Sequence, residues 1–202
     1  MPELHTLFMD AIREETHRLA GQHESLSGSP ARARLLAAAQ AFTDDIDILN
    51  YALTLEHLEY AFYRDGLAGF TSSNFDTGVY DNLILVRDHE GAHVDALVST
   101  ITNLGGTPVQ EASYDFGYAN AAGFIAVAAA LENTGVSAYD GAGAAIQNVD
   151  LLNAAGSIVA VEARHASYLN LVNGMDPFPA AFETPLSRAE VLGIAGPFIV
   201  SG

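Results

Sequence analysis

Cysteine is absent from the 202-residue sequence. Its absence excludes disulfide bonds, iron–sulfur clusters and zinc sites built from thiolates. Any metal ion that this chain binds must therefore be held by carboxylate and imidazole groups. That set of donors suits iron, manganese or zinc.

Basic residues are scarce, and lysine is missing altogether. The eight basic residues are all arginine and face 25 acidic residues, which gives a formal net charge of −17. Such a charge repels nucleic acid and anionic membranes, so we expect neither as a partner. It is typical of an acidic soluble protein and is only a weak argument for metal binding.

Long uncharged apolar runs are also missing, although half of the residues are apolar, enough for one domain with a substantial core. No stretch of about 18 apolar residues is free of charge, so we expect no transmembrane helix. The most apolar stretch, 121–131, is followed directly by Glu132. The beginning of the chain lacks the basic start and apolar middle of a signal peptide. Because a leader that had been removed would leave no trace, the location of the protein stays open.

The spacing of apolar residues predicts an all-α fold. Four long helices are expected over about 43–64, 82–104, 121–146 and 151–172. Thr43, Asp44 and Asp45 are suitable caps for the start of the first helix. These helices predict a four-helix bundle over 43–174.

Two extensions flank the predicted bundle. The N-terminal extension, 1–42, is expected to hold a helix over 2–20, a linker and an alanine-rich helix. The proline-rich tail, 175–202, is expected to pack on the bundle as irregular chain with a short helix near 188–194. Strands are hard to place anywhere in the sequence.

A carboxylate interrupts the apolar stripe of every predicted long helix, and in two helices an imidazole follows three residues later on the same face. A buried carboxylate without a partner costs several kcal/mol. No arginine falls on these stripes, so metal cations are the natural compensation, and bridging carboxylates let two ions share six donors. The predicted metal ligands are Glu56, Glu90, His93, Glu132, Glu162 and His165.

These residues repeat along the chain. Glu56 and Glu132 are 76 residues apart, and Glu90 and Glu162 are 72 apart. Glu56 and Glu132 are each followed by a tyrosine after seven residues. The repeat predicts two related helix pairs around a pseudo-twofold axis, with similar environments for the two ions.

The order Glu, Glu-x-x-His, Glu, Glu-x-x-His is the pattern of ferritin-like di-metal proteins. The chain resembles the ferritin-like superfamily, especially its branch of plant desiccation-related and fungal stress-response proteins. The resemblance extends over residues 43–200 and is carried by DIDILNYALTLEHLEYAFY, DHEGAH, ALENTGVSAYDGA, VEARHASYL and TPLSRAEVLGIAGPFI. It implies a ferritin-like four-helix bundle that holds two iron or manganese ions. It defines the site better than the reaction, because function is poorly defined in that branch.

Some of these residues allow other interpretations. Residues 89–93 (HEGAH) also match the H-E-x-x-H signature of zinc proteases, in which His89 and His93 would bind zinc. The glycine inside that helix and the four other core donors that the protease would leave unexplained count against it. The apolar stripe also selects Glu90 and His93 and turns His89 away from the core. A further Glu-x-x-His, Glu14 with His17, is expected on a solvated helix face.

Glu59 competes with Glu56 as the ligand from the first helix, since it lies about 60° around the helix. Tyr63, two turns after Glu56, favours Glu56, and His57 is expected to face solvent. Tyr63 and Tyr139 are candidate catalytic residues for electron relay, or core aromatics whose hydroxyls are satisfied.

The predicted donors favour a di-iron or di-manganese oxidoreductase that acts on a small oxidant, either peroxide or dioxygen. Glu90 and Glu162 would bridge the ions, while Glu56 and Glu132 would each bind one. The alternative is a metal-binding or stress-protective protein without turnover. The sequence leaves open a homodimer as well as a metal-free bundle.

Overall fold

The computed structural model describes residues 42–201. The helices and linker predicted before residue 42, together with Glu14 and His17, lie outside the described residues. The helices of the described part are α1 (Asp45–Leu67), α2 (Val79–Asn103), α3 (Ala121–Gly143), α4 (Val149–Val172) and α5 (Arg188–Ala195). The predicted all-α class is confirmed.

Helix α1 shows how local sequence sets the ends of the helices. Asp44 is its N-cap, and the side chain accepts a hydrogen bond of 2.8 Å from the backbone nitrogen of Asp47. The helix continues past Arg64, where we expected it to end, and includes Gly66. A β-carbon at Gly66 would collide with the ring of Phe124. This glycine therefore permits close packing of α1 on α3 and does not mark a loop.

The long helices pack as two hairpins, α1 with α2 and α3 with α4. Asp45, at the start of α1, accepts hydrogen bonds from the backbone nitrogens of Gln147 (2.8 Å) and Asn148 (3.0 Å), just beyond α3. The beginning of α1 therefore meets the end of α3. These two helices run antiparallel across the bundle.

Aromatic side chains fill one end of the bundle. Phe62 of α1 and Phe124 of α3 are fully buried, and their rings stack at 4.4 Å between centroids. Further rings from the connecting segments surround this pair, namely Phe70, Phe75, Phe116 and Tyr118. The core at this end is closely packed.

A short antiparallel ribbon joins the loop after α2 to the C-terminal tail. Its strands are β1 (Ser113–Tyr114) and β2 (Ile199–Ser201), which the sequence did not locate. Strands of two and three residues are too short to produce a detectable alternation. The tail also contacts α3 directly, because the backbone nitrogen of Leu186 donates to the carbonyl of Ser137 at 3.0 Å.

Helix α3 is, among the described residues, the one helix long and apolar enough to cross a membrane. More than half of its most apolar window, 56%, is buried inside the bundle. The fully buried Glu132 lies near its middle. Both features are those of the core helix of a bundle.

Candidate metal centre

The structure brings the six predicted donors together at the middle of the bundle. Helices α1 and α3 contribute one glutamate each, and α2 and α4 contribute a glutamate and a histidine each. The three-residue spacing places each Glu–His pair on one helix face. The four glutamates are fully buried, and the two imidazoles are 9% and 5% exposed: Glu56, Glu90, His93, Glu132, Glu162 and His165.

The donors form two overlapping groups, in each of which one atom per residue lies within 4.8 Å of all the others. Site A consists of Glu56, Glu90, His93 and Glu162. Site B consists of Glu90, Glu132, Glu162 and His165. Both sites therefore use Glu90 and Glu162, and each adds one glutamate and one histidine of its own.

The shared carboxylates each span the two imidazoles. Glu90 places Oε2 3.2 Å from Nδ1 of His93 and Oε1 3.0 Å from Nδ1 of His165. Glu162 places Oε1 3.0 Å from Nδ1 of His93 and Oε2 3.9 Å from Nδ1 of His165. One oxygen of each carboxylate thus faces site A, and the other faces site B.

Hydrogen bonding accounts for only part of this arrangement. Nδ1 of His93 has three carboxylate oxygens within 3.2 Å, although an imidazole nitrogen carries at most one proton. At site B, Nδ1 of His165 and the nearby oxygens of Glu90 and Glu132 have no aligned hydrogen-bond partner. More lone pairs converge at each site than the single proton on each Nδ1 can pair, and such an arrangement fits a cation at its centre. The residues of both sites therefore suit a metal ion.

The pKa values of the donors show how strongly the charges act on one another. Burial opposes the charged form of both imidazoles. Contacts with the carboxylates outweigh it, raising the pKa of His93 to about 12 and that of His165 to about 10. Burial raises the pKa of Glu56 to about 7, and for Glu90 the two imidazoles outweigh burial and lower the pKa to about 2. Protons on the imidazoles thus supply the positive charge that this core requires.

Two tyrosines, the buried Tyr63 and the half-buried Tyr139, complete the sites in a crossed manner. The hydroxyl of Tyr63 donates to Oε1 of Glu132 at 2.6 Å, and that of Tyr139 donates to Oε1 of Glu56 at 2.5 Å. Each tyrosine therefore binds the glutamate of the other half and not the one seven residues before it. The antiparallel packing of α1 on α3 is the cause. The hydroxyls hold the carboxylates of sites A and B, and in the structure they are satisfied.

Glu59 is a fifth buried carboxylate, but it belongs to neither site. Burial, followed by the charges of Glu162 and Glu132, raises its pKa well above the ordinary value. Its side chain lies against Gly135, where a β-carbon would be 2.9 Å from Oε1. Gly135 is the repeat equivalent of Glu59, 76 residues later. The two helices thus leave room for one carboxylate at this place, and between Glu56 and Glu59 the geometry favours Glu56 as the donor.

The surroundings of two histidines differ from those that the sequence predicts. His57 is buried, not exposed, because the loop after α2 covers it and places the carbonyl of Val109 3.2 Å from its Nε2. His89 is exposed, yet its Nδ1 lies 2.9 Å from Nε2 of His165, and the two rings stack. The helical pattern placed His89 outside the apolar stripe, but it did not reveal this contact from the outer side of site B.

The same contacts bear on the zinc-protease interpretation. His93 faces three carboxylates of site A, whereas His89 faces His165. The two histidines of the HEGAH segment therefore contact different groups. The structure does not assemble the pair of imidazoles that this signature requires.

Residues 44–175 match the family model of the ferritin-like domain, which covers well over half of the chain. The chain belongs to the ferritin-like domain family. The predicted membership in the ferritin-like superfamily and the predicted ferritin-like bundle are thus confirmed. Four helices with a carboxylate on each, and with imidazoles on two, are consistent with metal binding in this family.

Two individual proteins are similar to this member of the family. Protein rds1 of Schizosaccharomyces pombe is 29% identical over 169 residues, which cover 79% of this chain and 40% of that protein. The chain therefore spans well under half the length of this relative. The crystal structure of a conserved hypothetical protein, rv2844, from Mycobacterium tuberculosis has a TM-score of 0.55 and 22% identity, and the match covers 67% of this chain and 96% of that one. The second likeness concerns the fold alone.

Proposed function

We propose that this ferritin-like protein is an oxidoreductase that binds two ions, iron or manganese, and acts on dioxygen or peroxide. The observation that carries the proposal is that sites A and B share the carboxylates of Glu90 and Glu162. Two sites joined by common carboxylates suit a pair of ions that works as one unit. Such a pair supplies, or accepts, two electrons in a reaction with a small oxidant.

In this proposal each donor has a stated role. Glu90 and Glu162 bind both ions, because each carboxylate faces both imidazoles. Glu56 with His93, and Glu132 with His165, complete sites A and B separately. Their full or near-full burial excludes bulk water and any large substrate.

Tyr63 and Tyr139 act as positioning residues in the same proposal. Their hydroxyls hold the carboxylates of Glu132 and Glu56 in fixed orientations, as outer partners of metal ligands commonly do. Each phenol also keeps a proton next to the site, because burial raises the pKa of both tyrosines well above the ordinary value. A catalytic role for them as electron relays stays a prediction.

The second candidate function is a metal-binding protein without turnover. Complete burial of all four glutamates favours it, because metal ions held by buried donors can stabilise a fold without any turnover. The two candidates differ in reactivity and not in metal content.

The reactivity of the metal-loaded protein separates the two candidate functions. Protein stripped of metal is loaded with ferrous iron or manganese, and its reaction with dioxygen and with peroxide is followed spectroscopically. The oxidoreductase proposal requires at least one of these reactions to be faster than that of the same concentration of free ions. If neither reaction is faster although two ions are bound per chain, the function without turnover replaces it.

A further inference from the structure

A cavity at the opposite end of the bundle from the aromatic cluster reaches site A. Its volume is about 60 Å³, and all four long helices contribute to its wall. Its inner wall includes Tyr139, whose hydroxyl is bonded to Glu56. One side chain therefore separates the cavity from a donor of site A.

On three of the helices, helical periodicity gives the same distance between the cavity and site A. Ala52 lies four residues before Glu56, and Ile158 lies four residues before Glu162. On α2, Leu97 lies four residues after His93. Four residues are about one turn, or roughly 5.4 Å along the axis. The cavity therefore lies one turn from site A on α1, α2 and α4.

The internal repeat explains why this end of the bundle is hollow. Shifting by 76 residues between α1 and α3, and by 72 between α2 and α4, pairs each cavity position with one at the other end. Ala138 corresponds to Phe62, and Ala155 corresponds to Leu83. Phe62 and Leu83 are fully buried and fill the core beside site B. At the equivalent positions beside site A, the small side chains of Ala138 and Ala155 leave the corresponding volume empty.

The cavity also opens to the surface between α2 and α4. Ala96 and Ala154 are exposed members of its wall, one on each helix. Their small side chains leave a passage between the two helices. A small molecule that enters here can thus reach Tyr139, whose hydroxyl is bonded to Glu56.

The wall selects for apolar molecules. Among the side chains that line the cavity in the described residues, only Tyr51, Thr100 and Tyr139 carry a polar atom. The hydroxyls of Thr100 and Tyr139 are already bonded, to the carbonyl of Ala96 and to Glu56. Only the hydroxyl of Tyr51 still has a proton to donate. A buried water makes about three hydrogen bonds, so a wall with one free donor and few acceptors favours an apolar molecule over water or peroxide.

We propose that this cavity is the binding site and entry route for dioxygen, and that dioxygen therefore meets site A first. The proposal rests on the function proposed above and narrows its oxidant from two candidates to one. Dioxygen is apolar and loses little on leaving water, whereas peroxide would lose its hydrogen bonds. The volume of about 60 Å³ is sufficient for a molecule as small as dioxygen, since about 10–15 Å³ of such cavity space is enough for one water.

Xenon tests the cavity without any reaction, because apolar cavities in proteins bind xenon. The metal-loaded protein is crystallised and pressurised with xenon, as wild type and as the variants Ala155→Leu and Ala160→Leu. Ala155→Leu installs the residue that the repeat places beside site B. Ala160 is an exposed residue of the same helix outside the cavity and provides the matched control. We expect xenon in the cavity of the wild type and of Ala160→Leu, and none in Ala155→Leu.

The oxidation kinetics of the same proteins complete the test. Ala155→Leu should slow the reaction with dioxygen by about tenfold and leave the reaction with peroxide within about twofold of the wild type. Ala160→Leu should change neither. If Ala155→Leu does not fold, Ala154→Leu at the exposed mouth takes its place with the same expectations.

The outcomes that overturn the proposal are distinct. Absence of xenon from the wild-type cavity overturns the binding site. Xenon displaced with an unchanged dioxygen rate, or both oxidants slowed equally, overturns the entry route but leaves the oxidoreductase function in place. If the loaded wild type reacts with neither oxidant faster than free ions, the proposed function fails, and the dioxygen route fails with it.

Discussion

Sites A and B are built from equivalent residues, yet they lie in unequal surroundings. Site B is closed by stacked rings, with Phe62 and Phe124 at 4.4 Å, and touches the exposed His89 on its outer side. Site A lies one turn from an alanine-lined cavity that opens to the surface. The repeat thus determines the donors but not the packing around them. The similar environments that the repeat predicted for two ions hold for the donors only.

The largest effect should come from removing a shared carboxylate. Glu90→Ala and Glu162→Ala each delete a donor from both sites, so both ions should be lost and turnover abolished. Glu59→Ala is the control, since Glu59 is equally buried but belongs to neither site. Elemental analysis of the purified variants measures the change. A Glu59→Ala protein without metal would make Glu59 a donor, and a Glu162→Ala protein that keeps both ions would contradict the shared role of Glu162.

Removal of an unshared carboxylate should halve the metal content, because only one site loses a donor. Glu56→Ala should empty site A only, and Glu132→Ala should empty site B only, so each variant should retain one ion per chain. Because the cavity reaches site A, Glu56→Ala should also lose the fast reaction with dioxygen. Equal loss of both ions in both variants would mean that the sites cannot be filled separately.

Removal of metal should destabilise the protein in a pH-dependent way. In the metal-free fold the pKa of Glu56 is raised to about 7, from about 4.5, so this carboxyl keeps a proton that the unfolded chain releases. The free energy of unfolding of the metal-free protein should then fall as pH rises from about 4.5 through 7. The pKa of His93, raised to about 12, acts in the same direction above pH 6.5.

Calorimetry with a chelator measures this effect. The chelator should lower the melting temperature more at pH 8 than at pH 5, by roughly 5–10 °C, which corresponds to about 3 kcal/mol. The Glu90→Ala variant, which should already lack both ions, should not respond to the chelator. Equal shifts at both pH values in the wild type, at matched initial occupancy, would argue against mutual repulsion of the buried carboxylates.

The smallest effect is expected from the tyrosines. Tyr139→Phe and Tyr63→Phe each remove one hydrogen bond to a carboxylate, worth about 1–3 kcal/mol when the acceptor is charged. Turnover should fall modestly, and more for Tyr139→Phe, because Tyr139 lies between the cavity and Glu56. Stopped-flow kinetics, with metal content as the control, tests whether Tyr139→Phe loses more turnover than Tyr63→Phe. Complete loss of turnover with both ions retained would instead indicate an electron-relay role.

The helices and the donors could be predicted because both depend on local periodicity. Apolar spacing of 3.6 residues marked each helix, and the same spacing showed which carboxylates point into the core. The crossed bonds from Tyr63 to Glu132 and from Tyr139 to Glu56 were missed, because they depend on the antiparallel packing of two helices far apart in sequence. The burial of His57 likewise depends on a loop more than 50 residues away.

The cavity could not be predicted from the sequence, for a related reason. Ala138 and Ala155 are unremarkable in an alanine-rich chain, and a hollow core exists only when small side chains from several helices face one another. The short β1–β2 ribbon was missed because its partners are distant in sequence and too short to form a pattern. Contacts within a helix were therefore predictable, whereas contacts between distant segments were not.

A metal-loaded crystal structure with anomalous scattering at the absorption edge tests the central claim most directly. The protein is stripped, loaded with iron or manganese, and crystallised. We predict two ions per chain, one in site A and one in site B, about 3–4 Å apart, with Glu90 and Glu162 binding both. A single ion held between His89 and His93, or no ion among the six donors after loading, would contradict the account.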